Sequence, residues 1–353
     1  MINLSRYSGG QSVAFGVGLG KAVGKHVELL GARRVLVLTT PGKSALGLDL
    51  AKRLGTSAAG VFSGAEMHTP VEVTEKALAH LNSVGADSVL SAGGGSTIGL
   101  GKALALRHEI RQIALPTTYA GSECTPVLGQ TEDGVKTTLR NPRVRPDTVL
   151  CDPGLVATLP VPLTVSSALN AIAHAVEGLY ADDRTPEDHE LAIFGIKAFK
   201  ASLPRVIEAP EDLSAREESQ RGAWACGTVL ARVGMGLHHK LCHALGGSFN
   251  LPHAETHAII LPHAVAYNMV AVPELLAPVA ELFECDDPAL GLWEFARSLG
   301  APRALSNFGL KESDLDRAAD LATRNPYSNP RAVTVDGVRG LLRRAWSGEA
   351  PRP

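Results

Sequence analysis

The stretch SVLSAGGGSTIGLGKALAL, residues 88–106, decides the fold of the first half of the chain. A short apolar run leads into Gly93, Gly94, Gly95 and Ser96, and a helical pattern follows at once. This order is typical of a buried parallel strand that turns directly into a helix. Consecutive glycines let backbone N–H groups turn toward a phosphate, and the helix N-terminus adds a favourable partial charge. The turn is therefore a candidate for binding the pyrophosphate of a dinucleotide, although a purely structural strand-to-helix turn explains the spacing equally well.

The same alternation of apolar runs and helical patterns extends on both sides of this stretch. Helical patterns occupy residues 43–54, 70–84 and 97–107. The other apolar runs are VLVLTT at 35–40, AAGVF at 58–62, IRQIALPTT at 110–118 and DTVLCDP at 147–153. Continuous apolar strands joined by helices are typical of a parallel sheet that helices cover on both faces. We therefore predict an α/β N-terminal domain with a doubly wound parallel sheet.

Strand patterns fade after Pro153, and long helical patterns continue from about Thr164 to the C-terminus. Breaks in the helical patterns occur at Thr185-Pro186, Ala209-Pro210, Asp287-Pro288 and Ala301-Pro302. The sequence thus predicts a nucleotide-binding α/β domain over residues 1–158. An all-α C-terminal domain, carrying the substrate and metal site, is predicted over residues 159–353.

The composition excludes several classes of protein. Hydrophobic residues make up 45% of the 353 residues and charged residues 20%, with 34 Lys plus Arg against 36 Asp plus Glu. This is the balance of an ordinary globular protein, so neither a disordered chain nor a nucleic-acid-binding surface is indicated. The five cysteines are scattered without a CxxC pair, which argues against a disulfide framework or a structural zinc site. Because we find no secretory signal and no apolar stretch of membrane-spanning length, we expect a cytoplasmic protein without a membrane partner.

Two threonine pairs end apolar runs at positions where a dinucleotide would bind. Thr39 and Thr40 end the run at 35–40, and Thr117 and Thr118 end a later one. An acidic residue at the end of the first of these strands would bind the ribose hydroxyls and repel a 2′-phosphate. Its absence predicts that NADH and NADPH are both accepted. A second glycine cluster, at residues 16–24, lacks the spacing of a dinucleotide fingerprint, and we interpret it as turn chemistry.

Histidines are concentrated in one segment of the second half. Six of the 12 lie within GLHHKLCHALGGSFNLPHAETHAIILPH, residues 236–263. His239 and His243 are four residues apart, which puts them on one face of a helix. We expect Gly246-Gly247 to end that helix, so that His253 returns to the same place. This clustering points to a functional site.

A second pair with the same spacing lies upstream. Asn170 and His174 are four residues apart within a helical pattern. Together with His239 and His253 they could surround one metal ion with neutral ligands. The remaining histidines of the cluster, His238, His257 and His263, are interpreted as packing or helix-end residues outside the site.

Five segments make the sequence similar to the iron-containing alcohol dehydrogenase superfamily and, within it, to the maleylacetate reductases. The similarity extends over about residues 11–347. The segments are GGGSTIGLGKALAL, LPTTYAGSECTPV, LNAIAHAVEGLYA, GLHHKLCHALGGSFNLPHAETHAIILPH and NPYSNPRAVTVDGVRGLLRRAW. The resemblance implies the dehydroquinate synthase-like fold of this superfamily, an active site in the cleft between the two domains, and a homodimer.

The resemblance also assigns roles to individual residues. The metal-binding Asp of the family falls on Asn170, and its three ligand histidines fall on His174, His239 and His253. A further active-site histidine, which lies near the nicotinamide in the family, falls on His243.

Two positions depart from the family pattern. The glycine loop keeps residues 93–96 and Lys102, but Gly99 replaces the usual Asp of that loop. Asn170 replaces the one anionic metal ligand, so a divalent ion such as Fe²⁺ or Zn²⁺ should be bound far less tightly. The maleylacetate reductases resemble this sequence in that substitution. We therefore expect that a metal is not required.

The implied reaction is the NADH- or NADPH-dependent reduction of the C=C bond of maleylacetate to 3-oxoadipate, in the breakdown of resorcinol, hydroxyquinol or chloroaromatic compounds. Hydride would add to the alkene carbon conjugated with the ketone, so that charge develops on the oxygen as an enolate. We predict His243 and His253 as the polarising or proton-donating pair, with His174 and His239 in support.

A small dicarboxylate substrate also needs cationic partners. The candidates are Lys240 within the histidine segment and Arg324 and Arg331 beside the NPYSNPR stretch. Cys242, next to His243, could make the enzyme sensitive to thiol reagents, but a small buried helix residue explains it better.

Three alternatives remain open from the sequence. A metal-dependent alcohol or polyol dehydrogenase of the same superfamily would lose activity with a chelator, and Asn170 argues against it. A non-catalytic metal or nucleotide sensor would bind cofactor without turnover. A sugar-phosphate lyase related to dehydroquinate synthase would share the domain plan, but the five segments match it less well.

Overall fold

The computed structural model describes residues 8–353, which divide into two compact units. The first unit contains the chain up to Leu159 together with Pro210–Arg221, and the second contains Pro160–Ala209 and Gly222–Pro353. The first of these divisions lies one residue from the boundary expected at 158/159. The assignment of Pro210–Arg221 to the first unit has no counterpart in the expected division into two continuous segments.

A six-stranded parallel sheet forms the centre of the first unit, which confirms the predicted fold class. The strands in chain order are β1 (Ser12–Phe15), β2 (Val35–Leu38), β3 (Ala58–Phe62), β4 (Ser88–Gly93), β5 (Arg111–Pro116), β6 (Val127–Glu132), β7 (Val135–Arg140) and β8 (Thr148–Cys151). The sheet has the spatial order β1–β8–β5–β4–β2–β3, and every neighbouring pair is parallel. Strands β6 and β7 form a separate antiparallel hairpin.

Helices cover both faces of this sheet, as the continuous apolar runs predicted. The helices are α1 (Val23–Leu30), α2 (Ser44–Leu54), α3 (Val71–Val84), α4 (Gly95–Arg107) and the short α5 (Pro153–Val156). Val35 and Val37 of β2 lie in one core cluster with residues of α1 and α2, whereas Leu36 and Leu38 lie in another with residues of α3 and α4. Because successive side chains of a strand point to opposite faces, β2 must be apolar at every position.

The glycines after β4 allow the helix α4 to start directly behind the strand. A Cβ built on Gly93 would lie 2.3 Å from Thr97 Oγ1, and one on Gly101 would lie 2.3 Å from Ser91 Oγ. Both distances are too short for any side chain, so glycine is required for this close approach of helix and strand.

The β6–β7 hairpin and the edge strand β1 were not predicted. Asp133 and Gly134 connect the hairpin and both have positive φ, 48° and 76°, as a two-residue primed turn requires. The Asp-Gly pair in the sequence was therefore the available signal. Residues 16–22 of the glycine cluster are turn structure, as interpreted, whereas Gly24 lies in α1. The N–H groups of Gly18 and Gly20 both donate to the Asp152 carboxylate.

The regular elements after Leu159 are all helices, as predicted, and the helix Leu213–Arg232 begins in the segment Pro210–Arg221 of the first unit. The remaining helices in chain order are α6 (Val161–Tyr180), α7 (Pro186–Glu208), α8 (Leu213–Arg232), α9 (Leu237–Phe249), α10 (His253–Met269), α11 (Pro273–Phe283), α12 (Pro288–Ser298), α13 (Leu315–Thr323) and α14 (Val335–Ser347). Pro186 and Pro288 open α7 and α12, and Thr185 forms a capping box with Asp188. Within residues 8–353, no helix is both long and apolar enough to cross a bilayer.

Candidate active site

Three helices of the second unit bring one amide and six imidazoles together. These side chains are Asn170 and His174 on α6, His238, His239 and His243 on α9, and His253 and His257 on α10. The ring centroids of His174 and His239 are 5.0 Å apart, and those of His239 and His257 are also 5.0 Å apart. The His253 ring lies 4.3 Å from the His257 ring, and the His243 ring lies 6.2 Å from that of His239. We call this group the histidine cluster.

The link between α9 and α10 differs from the expectation. Gly246-Gly247 does not end α9, which continues to Phe249 and stops where Asn250 adopts a left-handed conformation with φ 54°. Pro252 then precedes His253, the first residue of α10. Two helical glycines each cost about 1 kcal/mol relative to alanine, which packing of the neighbouring helix residues can offset. Asn and Pro were the better stop signals.

Two histidines that the sequence interpretation left out belong to the cluster. His238 and His257 are both fully buried, and their ring centroids lie 4.8 Å apart. His257 follows His253 by four residues on α10, a spacing that the sequence displayed. His263 is buried farther along the same helix, beside a small cavity that Trp293 also lines.

A buried carboxylate, Glu177, is the site residue that sequence reasoning missed altogether. It lies on α6 three residues after His174, and only 1% of its surface is exposed. It accepts hydrogen bonds from the backbone N–H groups of Gly236 at 3.1 Å and His238 at 2.8 Å. The distance from its Oε2 to His239 Nδ1 is 2.6 Å. The only available signal was its helical spacing from His174.

Several polar atoms of the cluster have no partner among the residues that the structure describes. They are Asn170 Oδ1, His174 Nδ1, His238 Nδ1, His239 Nε2 and both ring nitrogens of His257. Burial lowers the pKa of His238 and His239 to about 3 and lowers the pKa of His174 and His257 well below the ordinary value. The imidazoles are therefore neutral near pH 7, which is the form that binds metal ions or accepts protons.

Three of the four predicted ligands have donor atoms that suit a divalent cation. Asn170, His174 and His239 each offer a buried nitrogen or oxygen without a partner among the described side chains, whereas His253 is exposed. The three donors are neutral, as predicted from Asn170.

Two groups of potential ligand atoms within 4.8 Å of one another occur in the described part of the chain. One is Glu177, His238 and His239, and the other is His238, Cys242 and His257. Neither is the predicted set of Asn170, His174, His239 and His253. The residues fit a weakly held cation better than a tightly bound one.

The charged candidates lie in different environments. Lys240 is half-buried, and its Nζ lies 5.3 Å from the centre of the Tyr327 ring. Arg331 donates to the Tyr267 carbonyl at 3.0 Å and stacks on the Tyr267 ring, whereas Arg324 is exposed. Arg331 is therefore engaged in holding the 327–331 segment to α10.

In the first unit, the predicted cofactor-binding residues meet at one edge of the sheet. Strands β2, β4 and β5 are parallel neighbours, so residues 39–40, 93–96 and 117–118 all follow their carboxyl ends. The Thr117 N–H donates to the Gly93 carbonyl, and Gly95 is exposed at the start of α4. Strand order reverses beside β2, where such sheets bind nucleotides.

Lys102 faces a different environment from the rest of this set. Its Nζ is buried and donates to Thr125 Oγ1 and to the Val127 carbonyl, each at 2.9 Å. Burial lowers its pKa to about 7 and raises that of the neighbouring Glu123 to about 7. The role of Lys102 toward a cofactor stays a prediction.

Comparisons with known proteins show the family of this chain. A family model described as iron-containing alcohol dehydrogenase matches residues 10–153, and one described as the C-terminal part of the Fe-containing alcohol dehydrogenase family matches residues 164–346. The chain is 53% identical to maleylacetate reductase of Rhizobium sp. (strain MTP-10005), over 96% of each chain. It is 48% identical to maleylacetate reductase of Delftia acidovorans, over 97% of each chain.

A solved structure extends the similarity to three dimensions. The crystal structure of maleylacetate reductase from Agrobacterium tumefaciens superimposes with a TM-score of 0.94 at 52% sequence identity, covering 97% of each chain. The chain therefore belongs to the iron-containing alcohol dehydrogenase family and, within it, to the maleylacetate reductases.

Proposed function

We propose that this chain reduces the C=C bond of maleylacetate to give 3-oxoadipate, with NADH or NADPH as the reductant. The observation that carries the proposal is the group of buried imidazoles of His174, His238, His239 and His257, neutral near pH 7, beside the buried amide of Asn170. The relatives named maleylacetate reductase match almost the whole chain and support the same reading.

The reaction adds one hydride and one proton across the alkene. A reduced nicotinamide, when bound, would supply the hydride that adds to the alkene carbon β to the ketone. The electron pair of the C=C bond moves toward the ketone oxygen as an enolate, and a proton then completes the saturated product. The protein has to stabilise the enolate oxygen and deliver one proton.

His243, in the middle of α9, and His253, the first residue of α10, are the proposed proton donors. His243 and His253 are exposed at the edge of the cluster, while their partners His239 and His257 are buried. An exposed imidazole can regain its proton from solvent after each turnover, so these two suit a donor role better than the buried rings.

A divalent cation remains an optional component of this site. If one is bound, Asn170, His174 and His239 would hold it, and it would supply polarisation of the ketone oxygen. Because all three donors are neutral, we propose that turnover does not depend on it.

The remaining partners follow from the same reading. Lys240 is proposed to attract the dicarboxylate, since it is a half-buried cation that directly follows His239 on α9. Residues 39–40, 93–96 and 117–118 are proposed to bind the dinucleotide at the carboxyl edge of the sheet. A homodimer in the cytoplasm remains the expectation for the assembly and its location.

The decisive experiment is an assay of NADH and NADPH oxidation with freshly prepared maleylacetate. The protein is treated with a chelator and assayed with and without added Fe²⁺ or Zn²⁺. Turnover in the chelated sample supports the proposal. Turnover that returns only with metal would keep the reaction but overturn its independence of metal. Oxidation of simple alcohols without reduction of maleylacetate would replace the proposal with a metal-dependent alcohol dehydrogenase.

A further inference from the structure

The Glu177 carboxylate contacts three nitrogen atoms at the start of α9. Two are the backbone N–H groups of Gly236 and His238, at 3.1 Å and 2.8 Å, and the third nitrogen is His239 Nδ1 at 2.6 Å. Backbone N–H groups can only donate, so both carboxylate oxygens are used as acceptors. His239 Nδ1 shares Oε2 with Gly236, and the arrangement is satisfied when that ring nitrogen carries a hydrogen and donates it.

We propose that Glu177 is a positioning residue that holds His239 in the Nδ1–H tautomer, so that Nε2 presents only a lone pair to the histidine cluster. A neutral imidazole carries one hydrogen on its two ring nitrogens, and a bond at one nitrogen fixes the state of the other. His239 Nε2 has no partner within residues 8–353, as expected for a nitrogen that awaits a ligand or a donor.

The catalytic meaning of this inference rests on the proposed function. It separates the role of His239, which accepts a hydrogen bond or binds a cation, from that of the group that donates the proton. A neutral His239 whose Nε2 lacks a hydrogen accepts a hydrogen bond or binds a cation, but it cannot donate a proton to the enolate. The proton must then come from another group, which agrees with the proposed donor role of the exposed rings of His243 and His253. Carboxylates that orient a ligating imidazole in this way typically change metal affinity or activity about 10- to 100-fold when removed.

Glu177 also stabilises the helix that carries His239. Gly236, the N-cap residue of α9, has no side chain that could cap the helix. Glu177, on α6, takes over this role because its carboxylate accepts hydrogen bonds from the N–H groups of Gly236 and His238. A carboxylate at a helix N-terminus is favourable because of the positive partial charge there. The test must therefore separate the orientation of the ring from the stability of the helix.

Asp188 provides a matched control for that separation. It is buried in the same unit, caps α7 through the Thr185 N–H and hydroxyl, and pairs with Arg232 at 2.7 Å. Asp188→Asn thus removes a buried, helix-capping carboxylate that does not contact His239.

The experiment is long-range ¹H–¹⁵N NMR of the histidine rings, which distinguishes the two tautomers. It compares the wild-type protein with Glu177→Gln, Glu177→Asp and Asp188→Asn, and His239→Gln identifies the signal. We expect His239 as Nδ1–H in the wild type and in Asp188→Asn, with that preference lost in Glu177→Gln. An Nε2–H tautomer in the wild type would overturn the proposal even if no Glu177 variant folds, and so would an unchanged tautomer in a folded Glu177→Gln protein.

A double-mutant cycle on turnover provides the second readout. If Glu177 acts through His239, Glu177→Gln lowers kcat about 10- to 100-fold in the wild type but causes little further loss in a His239→Gln background. Losses that multiply in the double variant would show that Glu177 acts only through the fold. Because the NMR measurement needs no turnover, failure of the reductase reaction and failure of the positioning role are distinguishable.

Discussion

The Gly99 backbone lies directly against the side chain of Thr69. A Cβ built on Gly99 would come within 2.5 Å of Thr69 Oγ1, closer than carbon and oxygen atoms without a bond approach. Thr69 is 5% exposed and has a φ of 49°, so its side chain has little room to move. A side chain at position 99, such as the Asp that the family resemblance implies, would therefore collide with Thr69, two residues before α3.

The contact predicts that Gly99→Ala destabilises the protein despite the better helix propensity of alanine. Overpacking of this kind costs about 1–3 kcal/mol, whereas the propensity gain is about 1 kcal/mol. We expect a lower free energy of unfolding in urea. Thr69→Ala should remove most of that loss by making room for the new methyl group, so equal losses in both backgrounds would refute the packing explanation.

We predict that a carboxylate at position 170 increases the affinity of the site for a metal ion. Asn170 Oδ1 is buried without a partner in the described structure, one helical turn from His174. Asn170→Asp supplies an anionic oxygen at that point, and we expect Zn²⁺ or Co²⁺ to bind at least about tenfold more tightly, a difference of about 1.4 kcal/mol. Isothermal titration with the metal alone measures the change.

Asn250→Asp is the matched control for the metal titration. Asn250 is exposed at the end of α9, so the variant adds the same charge in the same unit without contacting the cluster. A comparable gain in Asn250→Asp would mean that long-range charge, and not a ligand at position 170, increases the affinity.

Much of the fold was predictable because burial on both faces leaves a direct trace in the sequence. The apolar run at 35–40 predicts β2, since Val35 and Leu36 pack on opposite faces of the sheet and neither can be polar. Pro186 marks the start of α7 because its ring fits the first helical turn and no later one.

The histidine cluster was only partly predictable because helical spacing reports contacts within one helix. The four-residue spacing predicted that Asn170 and His174 share a face of α6, but it could not predict which face of α6 packs against α9. Glu177 and His257 enter the site through approaches between helices, and such approaches depend on packing over the whole unit. Gly246-Gly247 misled for a related reason, because tertiary packing outweighs the local cost of glycine in a helix.

We predict that removing the side chain of His243 or His253 lowers turnover with little change in substrate binding. We expect His243→Ala and His253→Ala each to lower kcat about 10²- to 10⁴-fold, the usual contribution of a general acid, while KM for maleylacetate changes little. Steady-state kinetics with NADH measures both constants. His108→Ala, an exposed histidine of the first unit, should retain wild-type rates. A large rise in KM with kcat preserved would assign these rings to binding and not to proton transfer.

The buried Lys102 predicts an unusual dependence of stability on pH. Burial lowers its pKa from 10.5 to about 7 in the folded protein, so between these values the unfolded chain binds a proton that the folded chain does not. Stability from this group is therefore fully present above pH 10.5 and is lost progressively as the pH falls from 10.5 to about 7, at up to about 1.4 kcal/mol per pH unit. We expect the free energy of unfolding of the wild type in urea to rise relative to that of Lys102→Met as the pH increases from 7. The exposed Lys25→Met variant is the control for net charge. A flat or falling difference would mean that the buried ammonium keeps its proton, held by Glu123 and the acceptors Thr125 and Val127.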